Sequence, residues 1–294
     1  MDKRRGFTLV ELLVVIAIIA LLMSILMPAL GRVRRQAKSV LCQSNIKQWG
    51  NCYAMYADTW EGSTPAGWLA STALPEPRDY AKCYWMEALR PYYGNEHDLR
   101  CCAMATKPQS KTGAISGTFT AWGIFGDPGQ LDRIGEPSGW PYAVIGDYGS
   151  TGNNGWIADP PPNVTPPDLG ENHPVAWNWR NFNIKGAGQV PMHGGNQWID
   201  CWPMVTDEIP LFEGESWNVG GYQGYTHMVR ICLNRHDGFV NWVFMDYSVR
   251  AVGLKELWKF KWHRRYDVTS EKAPTRVDFD TAGDGWMKKF KNYD

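Results

Sequence analysis

An apolar run close to the start of this chain limits what it can fold into more than any other feature. Residues 7–30 read FTLVELLVVIAIIALLMSILMPAL, and Leu12 to Met23 is unbroken hydrocarbon. As an α-helix this run spans about 36 Å, longer than the roughly 30 Å hydrocarbon core of a bilayer. Glu11 is the one ionisable group inside it, and Lys3, Arg4 and Arg5 lie ahead of it. The positive-inside rule therefore predicts a single-pass inner-membrane protein with a cytoplasmic N-terminus and a periplasmic or extracellular C-terminal domain. Arg32, Arg34, Arg35 and Lys38 follow the run, so both flanks are basic and the orientation rests on the short leader.

Three readings compete for this segment. A cleaved secretory signal has an apolar core of about 7–15 residues and a small-x-small site. This run is longer, and Met27-Pro28-Ala29-Leu30-Gly31 is a poor site. A plain anchor explains the length but leaves Glu11 unexplained, because a carboxylate in a membrane segment is costly and marks function. The third reading accounts for both. Gly6-Phe7-Thr8-Leu9-Val10-Glu11, behind the leader Met1–Gly6, resembles the type IV prepilin processing site. That resemblance implies cleavage between Gly6 and Phe7 by a prepilin peptidase and N-methylation of Phe7. It also implies pairing of Glu11 with a neighbouring subunit's amino terminus, a cationic partner such as a carboxylate in low dielectric needs. Pro28 matches a proline common in this family's helix and is a candidate kink, since it removes one backbone hydrogen bond. Loss of the leader would leave 27 basic and 29 acidic residues, a slightly acidic product.

Beyond Leu30, Cys42, Ile46, Trp49, Tyr53 and Tyr56 recur at helical spacing and mark one face for packing on a domain. Gly62 and Pro65 end the pattern. One helix is therefore expected from Phe7 to about Asp58, with residues 7–30 in the membrane and 31–58 exported. A shorter helix is expected over Tyr80–Arg90, stopped by Pro91. From Cys101 to Trp202 helical periodicity gives way to Gly, Pro, Asn and Trp, which reads as short strands between long ordered loops. Met228–Leu233 and Phe239–Met245 read as strands about an Asn234–Gly238 turn, Leu254–Trp262 as a helix, and 267–294 as a polar tail. The expected fold is α+β and pilin-like, a long N-terminal helix packed on a loop-rich antiparallel β domain over 59–266.

His236 through Tyr247 resembles the H-x9-DG segment of a large group of exported prepilin-like proteins abundant in planctomycete-type bacteria. His236 and Asp246 keep the spacing, and Tyr247 stands where the group has glycine. His236 and Asp246 are expected to form a structural pair across a hairpin, since no nucleophile or third ligand lies at recognisable spacing.

The seven cysteines are Cys42, Cys52, Cys83, Cys101, Cys102, Cys201 and Cys232. All follow the membrane segment, so all are candidates for disulfides in an oxidising compartment. Cys42 or Cys52 joined to Cys101 or Cys102 would staple helix to domain. No Cys-x2-Cys motif points to zinc, and no metal site is expected. The acidic stretch Asp278–Gly285 suggests calcium only weakly, because its spacing is not that of an EF-hand.

Lysine plus arginine and aspartate plus glutamate are 30 each, which gives no electrostatic handle for nucleic acid. No nucleophile elbow, HExxH or paired-carboxylate motif appears, so no enzyme and no cofactor are expected. The resemblance implies a pseudopilin or pilin-like subunit of a type II secretion or type IV pilus-like filament. Its partners would be prepilin peptidase, other pseudopilins or pilins, and inner-membrane lipid. The 16 tryptophans keep an alternative open, a surface carbohydrate- or ligand-binding module exported by the prepilin route.

Overall fold

The helical stripe and the apolar run fold as one element. In the computed structural model, which describes residues 9–67, 84–94, 96–108, 116–123, 147–160, 175–214 and 226–293, α1 runs Leu9–Thr59 over 51 residues. At 1.5 Å per residue that is about 77 Å. It ends where Gly62, at φ 83°, returns its amide to the Ala57 carbonyl, a left-handed closure that glycine makes without strain. Residues 9–30 are exposed throughout. Burial begins at Cys42 and continues through Ile46, Trp49, Gly50, Cys52, Tyr53 and Ala57. Four residues of the expected stripe are thus buried, and Tyr56 is half-buried.

A five-stranded sheet receives that face. Its strands are β1 (Thr151–Asn154), β2 (Pro191–Gly195), β3 (Asp200–Cys201), β4 (Phe239–Phe244) and β5 (Val249–Gly253), in the order β3-β1-β2-β4-β5. The pairs are antiparallel except β1 with β3, so the sheet is mixed and not wholly antiparallel as expected. α1 packs against β4, β5 and β2. At Gly50 a Cβ would lie 3.0 Å from Val243 Cγ2, so the absent side chain lets helix and strand approach closely. α2 (Trp85–Tyr93) packs beside α1. This helix carries Pro91 within it and stops at Gly94, φ 66°, so Pro91 does not end it as expected.

The β4 side chains alternate between two cores, as the pleat requires. Val243 faces α1, in a cluster with Ile46, Trp49, Tyr53, Trp85 and Leu89. Val240, Trp242 and Phe244 face the opposite cluster with Leu254, Leu257, Trp258 and Trp262. Several elements on that second side differ from expectation. Met228–Arg230 is a 3-10 turn, not a strand. Leu254–Lys259 is a six-residue 3-10 helix closed by Glu256 Oε2, which accepts from the Gly253 amide at 3.0 Å. The C-terminal segment is not a surface tail. It forms α3 (Arg276–Thr281) and buries Phe279, Trp286 and Met287 in the second cluster.

The β4–β5 turn forms despite the tyrosine. Tyr247 adopts φ 62°, which costs a non-glycine residue roughly 1–2 kcal/mol. Its ring lies 5.9 Å from that of Phe182 and packs, partly buried, against the α1-side cluster.

His193 on β2 is fully buried among Trp85 (4.6 Å), Trp49 (4.9 Å) and Tyr53 (5.9 Å, ring centroids). Its Nε2 lies 3.1 Å from Thr151 Oγ1. Burial pushes its pKa from 6.5 down to about 3. The unfolded chain takes up a proton below about 6.5 that the folded chain refuses, so this stabilisation is full above that pH and is lost toward 3. Buried Asp200 and Asp207, raised by desolvation to about 6 and about 7, act oppositely and lose stabilisation as pH rises through those values. A variant comparison isolates the histidine. Between pH 6.5 and 4.5 the melting temperature of His193→Gln is expected to fall less than that of the parent; equal falls would contradict the account.

Candidate functional site

The N-terminal half of α1 is the first candidate. Gly6 and Phe7 lie outside the described residues. Glu11 lies on α1 at the start of the described residues and is exposed. The helix runs through Pro28 without interruption. Its span is apolar and long enough to cross a membrane, and no part of that span is buried against the domain. Where it emerges, Arg32, Arg34, Arg35 and Lys38 are all exposed.

The second candidate is the seam where α1 first meets the domain. Three segments converge there. α1 supplies Cys42. A 3-10 turn, His97–Arg100, delivers Cys101 and Cys102. The turn before β4 supplies His236. The metal-type donor atoms of Cys42, Cys102 and His236 all lie within 4.8 Å of one another. Cys102 Sγ and His236 Nε2 are 3.3 Å apart.

Each segment is held from behind. Arg100 is fully buried, pairs with Asp147 at 2.9 Å and donates to the Tyr148 carbonyl at 3.1 Å. Asp147 also takes Arg90 at 2.7 Å. α1 clamps the same turn, because Asn45 donates to the Asp98 and Cys101 carbonyls and Trp49 Nε1 to the Leu99 carbonyl. The Cys102 amide donates to Ser150 Oγ at 2.8 Å. Next to His236, buried Arg235 donates to the carbonyls of Thr118 (2.6 Å), Asn196 (3.3 Å) and Ser150. Gly238, at φ 95°, completes the expected Asn234–Gly238 turn, its amide donating to Asn234 Oδ1.

The two thiols divide into donor and acceptor. A hydrogen bond from Cys42 holds Cys102 well below the ordinary thiol range, helped by His236 and the Arg235 guanidinium against the effect of burial. The same hydrogen bond, and burial, push Cys42 well above it.

Several sequence expectations meet this geometry. The six described cysteines are free and buried, and Cys83 lies outside the described residues. Of the suggested helix-to-domain pairs, the structure brings together Cys42 and Cys102 as thiols. Burial alone dominates at Cys52, Cys101, Cys201 and Cys232 and raises each thiol. The expected His236–Asp246 pair is not formed. The two residues stand at opposite ends of β4, whose six residues span roughly 20 Å. Asp246 Oδ1 accepts instead from the Ser248 amide and hydroxyl. In the acidic stretch, Asp278 caps α3 through Thr275, Asp280 pairs with Lys255 at 3.1 Å, and Asp284 accepts from the Trp286 amide.

The place of His236 beside Cys102 has no signal in the sequence. The two lie 134 positions apart, and no local spacing connects them. The tryptophans mostly fill cores. Trp49, Trp85, Trp122, Trp156, Trp242 and Trp262 are fully buried, and Trp60 is the exposed tryptophan among the described residues.

These features describe a class of protein, an α+β domain carried on a helix whose N-terminal half is bare and apolar. The family model for the prokaryotic N-terminal methylation motif matches residues 1–27. That motif, followed by one helix long and apolar enough for a single-pass membrane anchor, is consistent with a prepilin-like protein. The comparison with curated proteins and that with solved structures gave no match.

Arg235 tests how the seam is supported. Arg235→Leu removes the guanidinium from the Thr118, Asn196 and Ser150 carbonyls, of which Ser150 keeps the Asn196 amide, and is expected to cost at least about 2 kcal/mol in denaturant unfolding. An unchanged midpoint would show that the guanidinium is dispensable.

Proposed function

We propose that this protein is a pseudopilin or pilin-like structural subunit that assembles through α1 into a type II secretion or type IV pilus-like filament. The observation that carries the reading is the division of α1. Residues 42–57 are spent on the domain, while residues 9–30 have an apolar surface on every side and are not buried against the domain. Such a surface is stable only in lipid or against other helices.

On this reading prepilin peptidase cuts between Gly6 and Phe7, and Phe7 becomes the methylated amino terminus. Before assembly the helix sits in the inner membrane with its N-terminus cytoplasmic and its domain outside. In the filament, like segments from neighbouring subunits replace lipid, and Glu11 takes a neighbour's amino terminus as counter-ion. Pro28 removes one backbone hydrogen bond and eases local bending during extraction. The function is assembly and not catalysis. Among the described residues most tryptophans are buried, which counts against the carbohydrate-binding alternative.

Co-expression with and without an active prepilin peptidase tests the reading. With the peptidase, intact-mass analysis is expected to give a product starting at methylated Phe7. Gly6→Leu is expected to retain the leader, and Glu11→Ala to be cleaved yet fail to enter sedimentable filaments. Recovery of the parent chain starting at Met1 beside an active peptidase would refute it.

A further inference from the structure

Cys42, Cys102 and His236 have a chemistry that filament assembly does not use. Two sulfurs and an imidazole nitrogen, from three separate segments, lie within 4.8 Å of one another. With Zn–S about 2.3 Å and Zn–N about 2.0–2.1 Å, tetrahedral angles place such donors roughly 3.5–3.8 Å apart. The observed 3.3 Å between Cys102 Sγ and His236 Nε2 needs only a few tenths of an ångström of adjustment. Cys42 and Cys102 are buried, 2% and 1% exposed. His236 Nδ1 is also out of water and has no hydrogen-bond partner, so Cys102 is the one polar contact of this imidazole among the described residues.

We propose that Cys42, Cys102 and His236 form a three-ligand site for a thiophilic metal ion, zinc, with a fourth position left to solvent. Two thiolates balance the charge of a divalent ion, and thiol protons leave to solvent as the ion binds. Asn241 hydrogen-bonds Cys42 and its Oδ1 accepts from Gln43, which orients that ligand from the second side. The ion would tie α1 to two loops of the domain at the first buried turn after the exposed part of the helix. It would thereby fix the angle at which the domain rides on the helix. The site stands or falls independently of filament assembly.

The test uses the full-length chain in detergent, purified anaerobically with reductant, stripped of metal, and titrated with Zn2+ or Co2+. One ion per chain is expected, with a sulfur-to-Co2+ charge-transfer band and X-ray absorption showing two sulfur and one nitrogen scatterers from protein. Cys42→Ser and Cys102→Ser are each expected to lower the bound metal at least tenfold, while Cys101→Ser leaves it unchanged. The absorption spectrum of the parent chain identifies the ligands even if a cysteine variant fails to fold. Free thiols with no bound ion, a Cys42–Cys102 disulfide that excludes metal, or an ion whose scatterers lack sulfur would each overturn the proposal.

Discussion

The structure depends on burial of one stripe of α1 against the sheet. Ile46, Trp49 and Tyr53 each contribute roughly 1.5–3 kcal/mol by leaving water, and Trp49 also packs at 4.9 Å from both Trp85 and His193. Without that contact β4 and β5 would expose an apolar face, and α2 would lose its support. The contact also fixes where the helix stops belonging to the domain. Ser39 and Arg35 still touch the domain, through Asn241 and Asp237, and the apolar half of the helix beyond them has left the fold.

This division of one helix links packing to function. A helix with a buried C-terminal half is rigidly oriented, so its free N-terminal half projects in a set direction. Residues 9–34 extend roughly 39 Å at 1.5 Å per residue. Under the proposed function, such a stalk would carry the domain first on a membrane and then on an ordered array. The seam at Cys42, Cys102 and His236 lies where leverage on the stalk is greatest. Buried Arg100 and Arg235 hold the two loops there, so that seam is built as carefully as the core.

The helix was legible in the sequence because its signals are local. Cys42, Ile46, Trp49 and Tyr53 follow the 3.6-residue period, and Gly62 with Pro65 marks the end. The end expected near Asp58 falls at Thr59, and the expected start at Phe7 lies outside the described residues. β4 was equally legible, from its apolar and β-branched run. The helix expected over Leu254–Trp262 is a 3-10 helix over Leu254–Lys259 alone, because a short amphipathic stretch fits both an α- and a 3-10 helix. The C-terminal segment misled because Phe279, Trp286 and Met287 are sparse among charged residues, and their burial is decided by the far side of the sheet. The site was legible in pieces. The motif match at residues 1–27 rests on contiguous residues. The contact of His236 with Cys102 depends on the fold bringing together positions 134 apart, and no spacing encodes it.

The central claim is that the bare half of α1 is an assembly surface. A photo-crosslinking amino acid at Ile19, in cells with an active prepilin peptidase and a filament assembly system, tests it most directly. The account predicts a ladder of covalent oligomers through Ile19 that disappears with Glu11→Ala, and no such ladder from the same probe at buried Ile46. Crosslinks from Ile19 to lipid alone, with the chain remaining monomeric under assembly conditions, would contradict it.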